Sequence, residues 1–155
     1  MSTPASQYVL LVVDDDAASR DIAARLLERE GYTVRQAESG LACIELVQHE
    51  RVDLVLLDVM MPGMDGFDVC TALRALDAAR HIPIILLTAK DDTDTRLEGM
   101  HHGVSEFLTK PINRHELYAR VRAQLHIIAL AQQLETIEQN LKSGPPPKQP
   151  SSPTR

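Results

Sequence analysis

Five polar side chains of this sequence could act together in one chemical site. They are Asp14 and Asp15 near the start, Asp58 in the middle, and Thr88 and Lys110 further along. Each lies within or just after an apolar run of the kind that forms β-strands. If these strands form an open parallel sheet, their carboxyl ends meet at one edge, which is where such sheets bind ligands. We therefore expect the five side chains to converge on a single pocket.

The three aspartates need a positive partner if they converge. In a partly buried pocket their carboxylates would repel one another, unless a cation joined them or their pKa values rose. A hard divalent ion with oxygen ligands, Mg2+ above all, resolves this conflict and commonly keeps waters and a phosphate oxygen in its shell. Lys110 can pair with a carboxylate or with phosphate oxygens, and Thr88 can hydrogen-bond a phosphoryl oxygen. Such a site could accept a phosphoryl group on Asp58 as an acyl phosphate.

The strands that must position these groups alternate with helical segments, which is typical of a doubly wound α/β sheet. The second predicted strand has fewer apolar residues, which favours an edge position, whereas the first, third and fourth are almost entirely apolar. Right-handed crossovers then predict a flavodoxin-like parallel sheet of five strands in the order 2-1-3-4-5, with five helices. The predicted strands are Tyr8–Val13, Tyr32–Gln36, Leu54–Leu57, Ile84–Leu87 and Val104–Leu108.

The helices are predicted from apolar spacing and capping residues. The charged residues of the first helix, among them Arg20 and Arg25, are interpreted as a solvated face. Its apolar side consists of Ile22, Ala23, Leu26 and Leu27. The fourth helix, about Asp92 to His101, is short and has only Leu97 and Met100 as large apolar residues. Capping residues mark the predicted starts of the second, third and fifth helices at Ser39, Asp65 and Asn113.

The fifth helix is longer than this fold requires. Beyond the part that would pack on the sheet, a second apolar stripe continues with alternating steps of four and three residues, which is an a/d heptad pattern. This seam consists of Ala123, Ile127, Leu130, Leu134, Ile137 and Leu141. It predicts a homodimer formed through the carboxyl-terminal helix. The sequence thus divides into a domain over residues 7–125, an extended helix or coiled-coil stub over 126–142, and a disordered Pro-rich tail over 143–155.

Composition limits the class of protein further. The 155 residues, 44% of them hydrophobic, suit one domain with a full core. The net charge of −6 argues against direct nucleic-acid binding. Cys43 and Cys70 lie within apolar helical patterns and are interpreted as buried free thiols. Because the sequence shows neither a membrane-spanning apolar stretch nor a signal peptide, it predicts a cytoplasmic protein without membrane contact.

The motifs resemble the receiver domain of bacterial two-component response regulators, of the kind found in chemotaxis regulators. That family has an acidic pair after the first strand, a phosphorylated Asp after the third, Ser or Thr after the fourth and Lys-Pro after the fifth. All four motifs occur here in that order and at the family's spacing, and the resemblance covers about Tyr8 to Leu125. It implies phosphorelay signal transduction, in which a sensor histidine kinase or a phosphotransfer protein donates a phosphoryl group from histidine to Asp58.

The resemblance also implies the composition of the site. Asp58 would be the phosphoacceptor, with Thr88 and Lys110 assisting the transfer. The resemblance also raises the expectation of a cis Lys110–Pro111 bond well above its base rate of about 5–6%. Mg2+ would be the cofactor, and its protein ligands would be the side chains of Asp14, Asp15 and Asp58 and the backbone carbonyl of Met60.

Four side chains would tune the phosphorylated state. Thr88 and Phe107 would act as a switch, in which the threonine is drawn toward the phosphate and the aromatic ring moves inward; the alternative is that Phe107 is a simple core aromatic. Met60 and Lys90 would flank the path of the water that attacks the acyl phosphate. Neither is a carboxylate or an amide that could position this water, so the resemblance predicts slow self-dephosphorylation.

Two other functions share parts of this pattern but fit the sequence less well. An aspartyl phosphatase of the haloacid dehalogenase type needs a second acid two residues after its nucleophile, and Met60 occupies that position. The other aspartate run, Asp14 to Ala18, ends in Ala where that motif requires Thr or Val. A flavodoxin must hold a phosphate in its first loop, which three adjacent acids would repel. We therefore expect no enzyme activity beyond the domain's own autophosphorylation and autodephosphorylation.

Two interpretations of the output remain open. The chain could be a stand-alone regulator that signals by protein contacts through its fourth helix, fifth strand and fifth helix, and through the carboxyl-terminal helix. It could equally be the receiver of a longer protein, since extended fifth helices with a heptad seam often lead into an effector domain in the family that the sequence resembles.

Overall fold

The computed structural model describes residues 4–89 and 93–144. They form a parallel sheet of five strands in the order β2-β1-β3-β4-β5, which confirms the predicted flavodoxin-like fold and the edge position of the second strand. The observed strand ends differ from the predicted ones by one residue at several positions and by two at the start of the fifth strand, because periodicity does not fix where pairing stops. They are β1 (Val9–Val13), β2 (Thr33–Ala37), β3 (Leu54–Asp58), β4 (Ile84–Thr88) and β5 (Glu106–Thr109).

The helices are α1 (Ala17–Arg29), α2 (Gly40–His49), α3 (Gly66–Ala75), α4 (Thr93–His101) and α5 (Arg114–Ser143), and a short 3-10 turn over Ala5–Gln7 precedes β1. Four of the helices begin at a side-chain cap, where a polar side chain accepts a hydrogen bond from a backbone amide three residues further on. The capping residues are Asp16, Ser39, Asp65 and Asn113.

The core lies on both faces of the sheet, because successive strand residues point to opposite faces. Every residue of β3 and β4 is buried. Leu57 lies in a cluster with residues of α2 and α3, and Leu56 lies in a second cluster with residues of α1 and α5. Cys43 and Cys70 belong to the first cluster as buried free thiols, as predicted, and burial raises the pKa of each to about 12.

The predicted apolar side of α1 was wrong at one residue. Ile22 is 58% exposed, and the buried residues of the helix are Ala23, Ala24 and Leu27. Residues three and four apart share one face of a helix, so the stripe that faces the sheet runs through positions 20, 23, 24 and 27. Ile22 lies beside this stripe and stays in solvent, whereas Arg20 lies on it.

Helix α4 packs against the domain through a small residue, whereas its large apolar residues face solvent. Leu97 and Met100 are exposed, and Gly99 is the buried residue of this helix. A Cβ atom at Gly99 would lie 2.8 Å from two ring atoms of Phe107 on β5. The absence of a side chain therefore lets the helix approach the aromatic ring directly.

The chain divides into two compact units, one ending at Leu125 and the other beginning at His126. In the second unit, the apolar side chains of the predicted seam are exposed: Ile127, Leu130, Leu134, Ile137 and Leu141. Residues 145–155 of the predicted tail lie outside the described residues, and the predicted domain limits stay a prediction. Among the helices that the structure describes, none combines the length and the apolar character needed to cross a membrane.

The start of α3 gives a testable prediction about stability. A Cβ atom at Gly66 would lie 2.8 Å from Val59 Cα and 2.9 Å from the carbonyl oxygen of Asp58. Since these are backbone atoms that cannot move aside, we expect Gly66→Ala to lower the free energy of unfolding by about 1–3 kcal/mol. Urea denaturation measures this. The matched control is Gly63→Asn, because Gly63 has a positive φ that Asn tolerates and open space around it. Equal destabilisation by both variants would contradict the packing argument.

Candidate functional site

The carboxyl ends of four neighbouring strands carry the predicted site residues. Asp14 directly follows β1, Asp58 ends β3, Thr88 ends β4 and Lys110 directly follows β5. The register pairs Thr88 with Thr109 across β4 and β5. Because the strands are parallel, these residues come together at one end of the sheet.

Three carboxylates form the acidic part of the site. One oxygen from each of Asp14, Asp15 and Asp58 can be chosen so that all three lie within 4.8 Å of one another. Asp14 and Asp58 are each only 3% exposed, whereas Asp15 is open to solvent. Backbone amides hold the two buried groups: Asp16 N donates to Asp14 Oδ1 at 3.0 Å, and Met60 N donates to Asp58 Oδ1 at 3.2 Å. The cluster is thus fixed in position and reachable from solvent through Asp15.

Lys110 supplies a positive charge to this cluster. Its Nζ atom lies 2.7 Å from Asp58 Oδ2 and donates a hydrogen bond to it. The backbone directs the side chain there, since Lys110 N donates to the Thr88 carbonyl at 2.8 Å and the Lys110–Pro111 peptide bond is cis. Asp58 therefore meets a cation on one oxygen and a backbone amide on the other.

Among the residues that the structure describes, negative groups outnumber positive ones at the site, since the Lys110 ammonium faces the carboxyl groups of three aspartates. The pKa of the Asp14 carboxyl is raised, first by burial and further by the nearby charge of Asp58, although the hydrogen bond from Asp16 N opposes the shift. A raised pKa means that the folded protein disfavours the ionised form of this group. A bound cation would remove that penalty.

The site also holds a buried hydroxyl group that can still donate a hydrogen bond. Thr88 is fully buried, and its Oγ1 atom has no hydrogen-bond partner among the residues that the structure describes. Buried polar atoms are seldom left in this state, and exceptions call for an explanation such as a missing ion, water or ligand. The three carboxylates offer the oxygen ligands that Mg2+ prefers. The residues present therefore fit a hard divalent cation together with an anionic group beside Thr88.

Two predicted residues lie at the edge of this arrangement. The Met60 side chain is 76% exposed, although Val59 and Met61 on either side of it are buried. Its backbone amide contacts Asp58, and the metal-ligand role of its carbonyl stays a prediction. Lys90 lies outside the described residues, so its predicted role in dephosphorylation is untested.

Phe107, the predicted switch residue, is partly buried on β5. Its ring lies against Gly99 of α4, and the guanidinium carbon of Arg96 lies 5.9 Å from the ring centroid, within the range of a cation–π contact. Thr88 lies on the neighbouring strand. The aromatic ring thus connects the strand next to Thr88 with α4.

One residue of the site was missed because it was assigned to a solvated helix face. Arg20 donates from Nη1 to the carbonyl oxygen of Asp14 at 2.8 Å and from Nε to Gln36 Oε1 at 3.0 Å. That interpretation of Arg20 was wrong. The signal that could have revealed it is its spacing from Ala23, Ala24 and Leu27, which places it on the side of α1 that faces the sheet.

The crowding of carboxylates leads to a prediction about stability. We expect Asp14→Asn to raise the free energy of unfolding by about 1 kcal/mol at neutral pH in EDTA, the size of one like-charge contact at a hydrated site. Because the folded-state pKa of Asp14 is raised, the penalty is absent below the ordinary pKa and fully present above the raised one. The stability gain should therefore grow as pH rises through this window.

Urea denaturation at a series of pH values measures this effect. The control is Asp77→Asn, which removes a charge from a side chain that is 94% exposed and remote from the acidic cluster; it should change stability by less than about 0.5 kcal/mol. A loss of stability in Asp14→Asn at neutral pH would show that repulsion does not dominate at this position.

Comparison with known proteins gives an independent view of the same region. Residues 10–122 match the response regulator receiver domain. Response regulator PleD of Caulobacter vibrioides is 45% identical over 114 residues, which cover 74% of this chain and 25% of PleD. Response regulator MprA of Mycobacterium sp. (strain KMS) is 43% identical over 116 residues, which cover 75% of this chain and 50% of MprA. The match thus spans only a quarter to a half of these relatives.

A solved structure resembles the fold and carries an ion. The receiver domain of sensor histidine kinase PA1611 from Pseudomonas aeruginosa PAO1, which has a magnesium ion coordinated in its active-site cleft, is 27% identical with a TM-score of 0.72, covering 77% of this chain and 98% of that chain. The family match extends over well more than half of the sequence and includes every strand end described above. The chain therefore belongs to the response regulator receiver domain family.

Proposed function

We propose that this receiver domain accepts a phosphoryl group on Asp58 in a Mg2+-dependent reaction. The donor is a phosphohistidine of a sensor histidine kinase or of a phosphotransfer protein. The observation that carries the proposal is the setting of Asp58, a buried carboxylate that lies between the acidic pair and the amine of Lys110. Its position at the open end of the sheet leaves it reachable by a donor.

The transfer makes one bond and breaks another. A carboxylate oxygen of Asp58 attacks the phosphorus atom, a P–O bond forms, and the P–N bond to the donor imidazole breaks. The electron pair of that bond stays with the imidazole nitrogen, which takes up a proton from solvent. The product is an acyl phosphate on Asp58, and no other reactant is consumed.

Each neighbouring group has a place in this reaction. Asp14, Asp15 and Asp58, with the Met60 carbonyl, would hold Mg2+, which supplies positive charge for the phosphoryl oxygens when bound. Lys110, already hydrogen-bonded to Asp58 Oδ2, is placed to pair with those oxygens as well. The Thr88 hydroxyl, which lacks a partner among the described residues, can donate to one of them.

The same contacts support a switch. When the Thr88 hydroxyl turns toward a phosphoryl oxygen, the space it leaves is next to β5, where Phe107 lies. An inward move of the ring would remove its contact with Gly99 and Arg96 and so change the surface of α4. Because Phe107 has no hydroxyl group, its contribution is steric.

The output of this domain is a change in protein contacts. The surface formed by α4, β5 and the first part of α5 exposes Leu97 and Met100. In the second unit the exposed seam would pair with a second copy of the chain, giving a homodimer. We assign no direct nucleic-acid contact and no turnover of separate substrates. A bound flavin, visible as a yellow colour, or hydrolysis of small phosphate esters would contradict this assignment.

The phosphoacceptor can be tested by chemical modification. The wild type should be modified by acetyl phosphate or beryllofluoride when Mg2+ is present, and Asp58→Asn should not be modified, because the amide is not a nucleophile for phosphorus. Intact-protein mass spectrometry follows the acetyl phosphate reaction, and fluorine NMR follows beryllofluoride. Asp77→Asn, altered at an exposed acid, should behave as the wild type does. Comparable modification of Asp58→Asn, or of the wild type in EDTA, would defeat the assignment.

The lifetime of the acyl phosphate can be tested at Met60. The exposed Met60 side chain stands two residues after Asp58 and cannot position an attacking water. We expect Met60→Asn, alone or with Lys90→Glu, to shorten the half-life of the phosphorylated form, because the new polar groups can orient that water. Loss of radiolabelled phosphate after removal of the donor measures the rate. Met100→Asn, a change of the same chemistry on α4, serves as the control. Decay rates that do not change would count against this role.

The seam can be tested through the self-association of the chain. Because it covers only roughly two and a half heptads, and helices of this length are marginal alone, the seam should give a weak dimer. Phosphorylation should strengthen it, since a second contact through α4, β5 and α5 would raise the effective concentration of the two seams. Sedimentation velocity over a concentration series, with and without beryllofluoride, measures the association.

Leu130→Glu with Leu134→Glu should abolish this dimer, because it places charges at exposed apolar positions of the seam. The control variant, Gln132→Glu with Gln133→Glu, adds the same charge to the helix between seam positions. It should weaken the dimer less than the two leucine changes do. A protein that stays monomeric with and without beryllofluoride would refute the role of the seam in dimerisation. So would a dimer that the leucine changes do not weaken.

A further inference from the structure

Arg20 is the charged side chain that braces the main chain of Asp14. Its guanidinium bridges two partners, the carbonyl oxygen of Asp14 at 2.8 Å and Oε1 of Gln36 on the edge strand at 3.0 Å. It is half-buried, and it lies on the stripe of α1 that faces the sheet. Arg20 therefore joins three elements, namely α1, the end of β1 and β2.

The polar groups of Asp14 show what this brace controls. The amide of Asp14 donates to the Ala37 carbonyl on β2 at 3.2 Å, and its own carbonyl accepts from Arg20. Its carboxylate accepts from Asp16 N at 3.0 Å. The peptide unit between Asp14 and Asp15 is thus held by Arg20 on its carbonyl side. The direction of both acidic side chains depends on that peptide unit.

We propose that Arg20 is a positioning residue for the cation site, which holds the Asp14–Asp15 peptide so that both carboxylates face Asp58. This inference rests on the proposed Mg2+ site. Arginine suits the task because its planar fork presents several donors in fixed directions, so one side chain can hold a carbonyl and an amide oxygen together. Lysine could reach one of these acceptors but has no such fork.

Because Arg20 is positively charged, the direction in which its removal changes Mg2+ affinity tests the inference. If the residue acted only as a nearby positive charge, its removal would strengthen the binding of Mg2+, because a repelling cation would be gone. If it positions the acidic pair, its removal weakens binding, because residues that orient metal ligands typically contribute 10–100-fold to affinity. The two roles thus predict opposite changes in the dissociation constant.

The experiment is a titration of the full chain with MgCl2. Calorimetry and the chemical shifts of the backbone amides in NMR spectra both report the binding. Arg20→Met should raise the dissociation constant about tenfold, and Arg20→Lys should give an intermediate value. Arg25→Met removes the same charge from a side chain of α1 that is 73% exposed, and it should leave affinity at or slightly above the wild-type level. In EDTA, the Asp16 amide resonance should shift in Arg20→Met, because the hydrogen bond to Asp14 is disturbed before any ion binds.

Each result has a defined meaning. Binding by Arg20→Met that equals or exceeds that of the wild type, in a folded protein, would overturn the positioning role. If Arg20→Met does not fold, Arg20→Lys and Gln36→Met decide: weaker binding in both supports the role, and wild-type affinity in either overturns it. Absence of Mg2+ binding by the wild type would instead refute the proposed cation site, so the two failures are distinguishable.

Discussion

The mutual repulsion of three carboxylates at one end of the sheet is the constraint around which this domain is built. Asp14 and Asp58 are buried beside exposed Asp15, and Lys110 is the amine that contacts the cluster among the described residues. A protein that only had to fold would not gather these charges, since the ionised form of Asp14 is disfavoured there. The sheet holds the charges together, and the site is consequently ready for a cation.

The strength of the scaffold is unequal around this site. Strands β3 and β4 are buried along their whole length. Gly66 lets the start of α3 approach the end of β3 closely. Helix α4, in contrast, buries only Gly99, which meets the ring of Phe107. Asp58 is therefore held on a closely packed side of the domain, whereas α4 contributes a single buried residue to the packing. Elements held by few buried contacts are the ones that move at low cost in free energy.

Most of this fold could be predicted from the sequence, because apolar runs, capping side chains and polar residues at strand ends are local signals. The placement of Asp14, Asp58, Thr88 and Lys110 at one end of the sheet follows from such signals together with strand order. What could not be predicted depends on three-dimensional contacts. The exposure of Ile22 follows from how α1 is rotated on the sheet, and the packing of α4 depends on a residue without a side chain. The helical spacing of Arg20 could have placed it on the side of α1 that faces the sheet, but its partners Asp14 and Gln36 depend on contacts between elements that are separate in sequence.

If Asp58 is phosphorylated as proposed, the buried hydroxyl group of Thr88 would favour the phosphorylated form of the domain. In the part of the chain that the structure describes, this donor has no protein acceptor, and a buried donor left wholly unsatisfied would cost roughly 1–3 kcal/mol. An acceptor that arrives with the phosphoryl group would return this free energy, but only in a conformation that lets the hydroxyl reach it. A difference of that size shifts the ratio of two conformations by roughly 5-fold to 150-fold. One side chain could thus supply much of the bias of a signalling equilibrium.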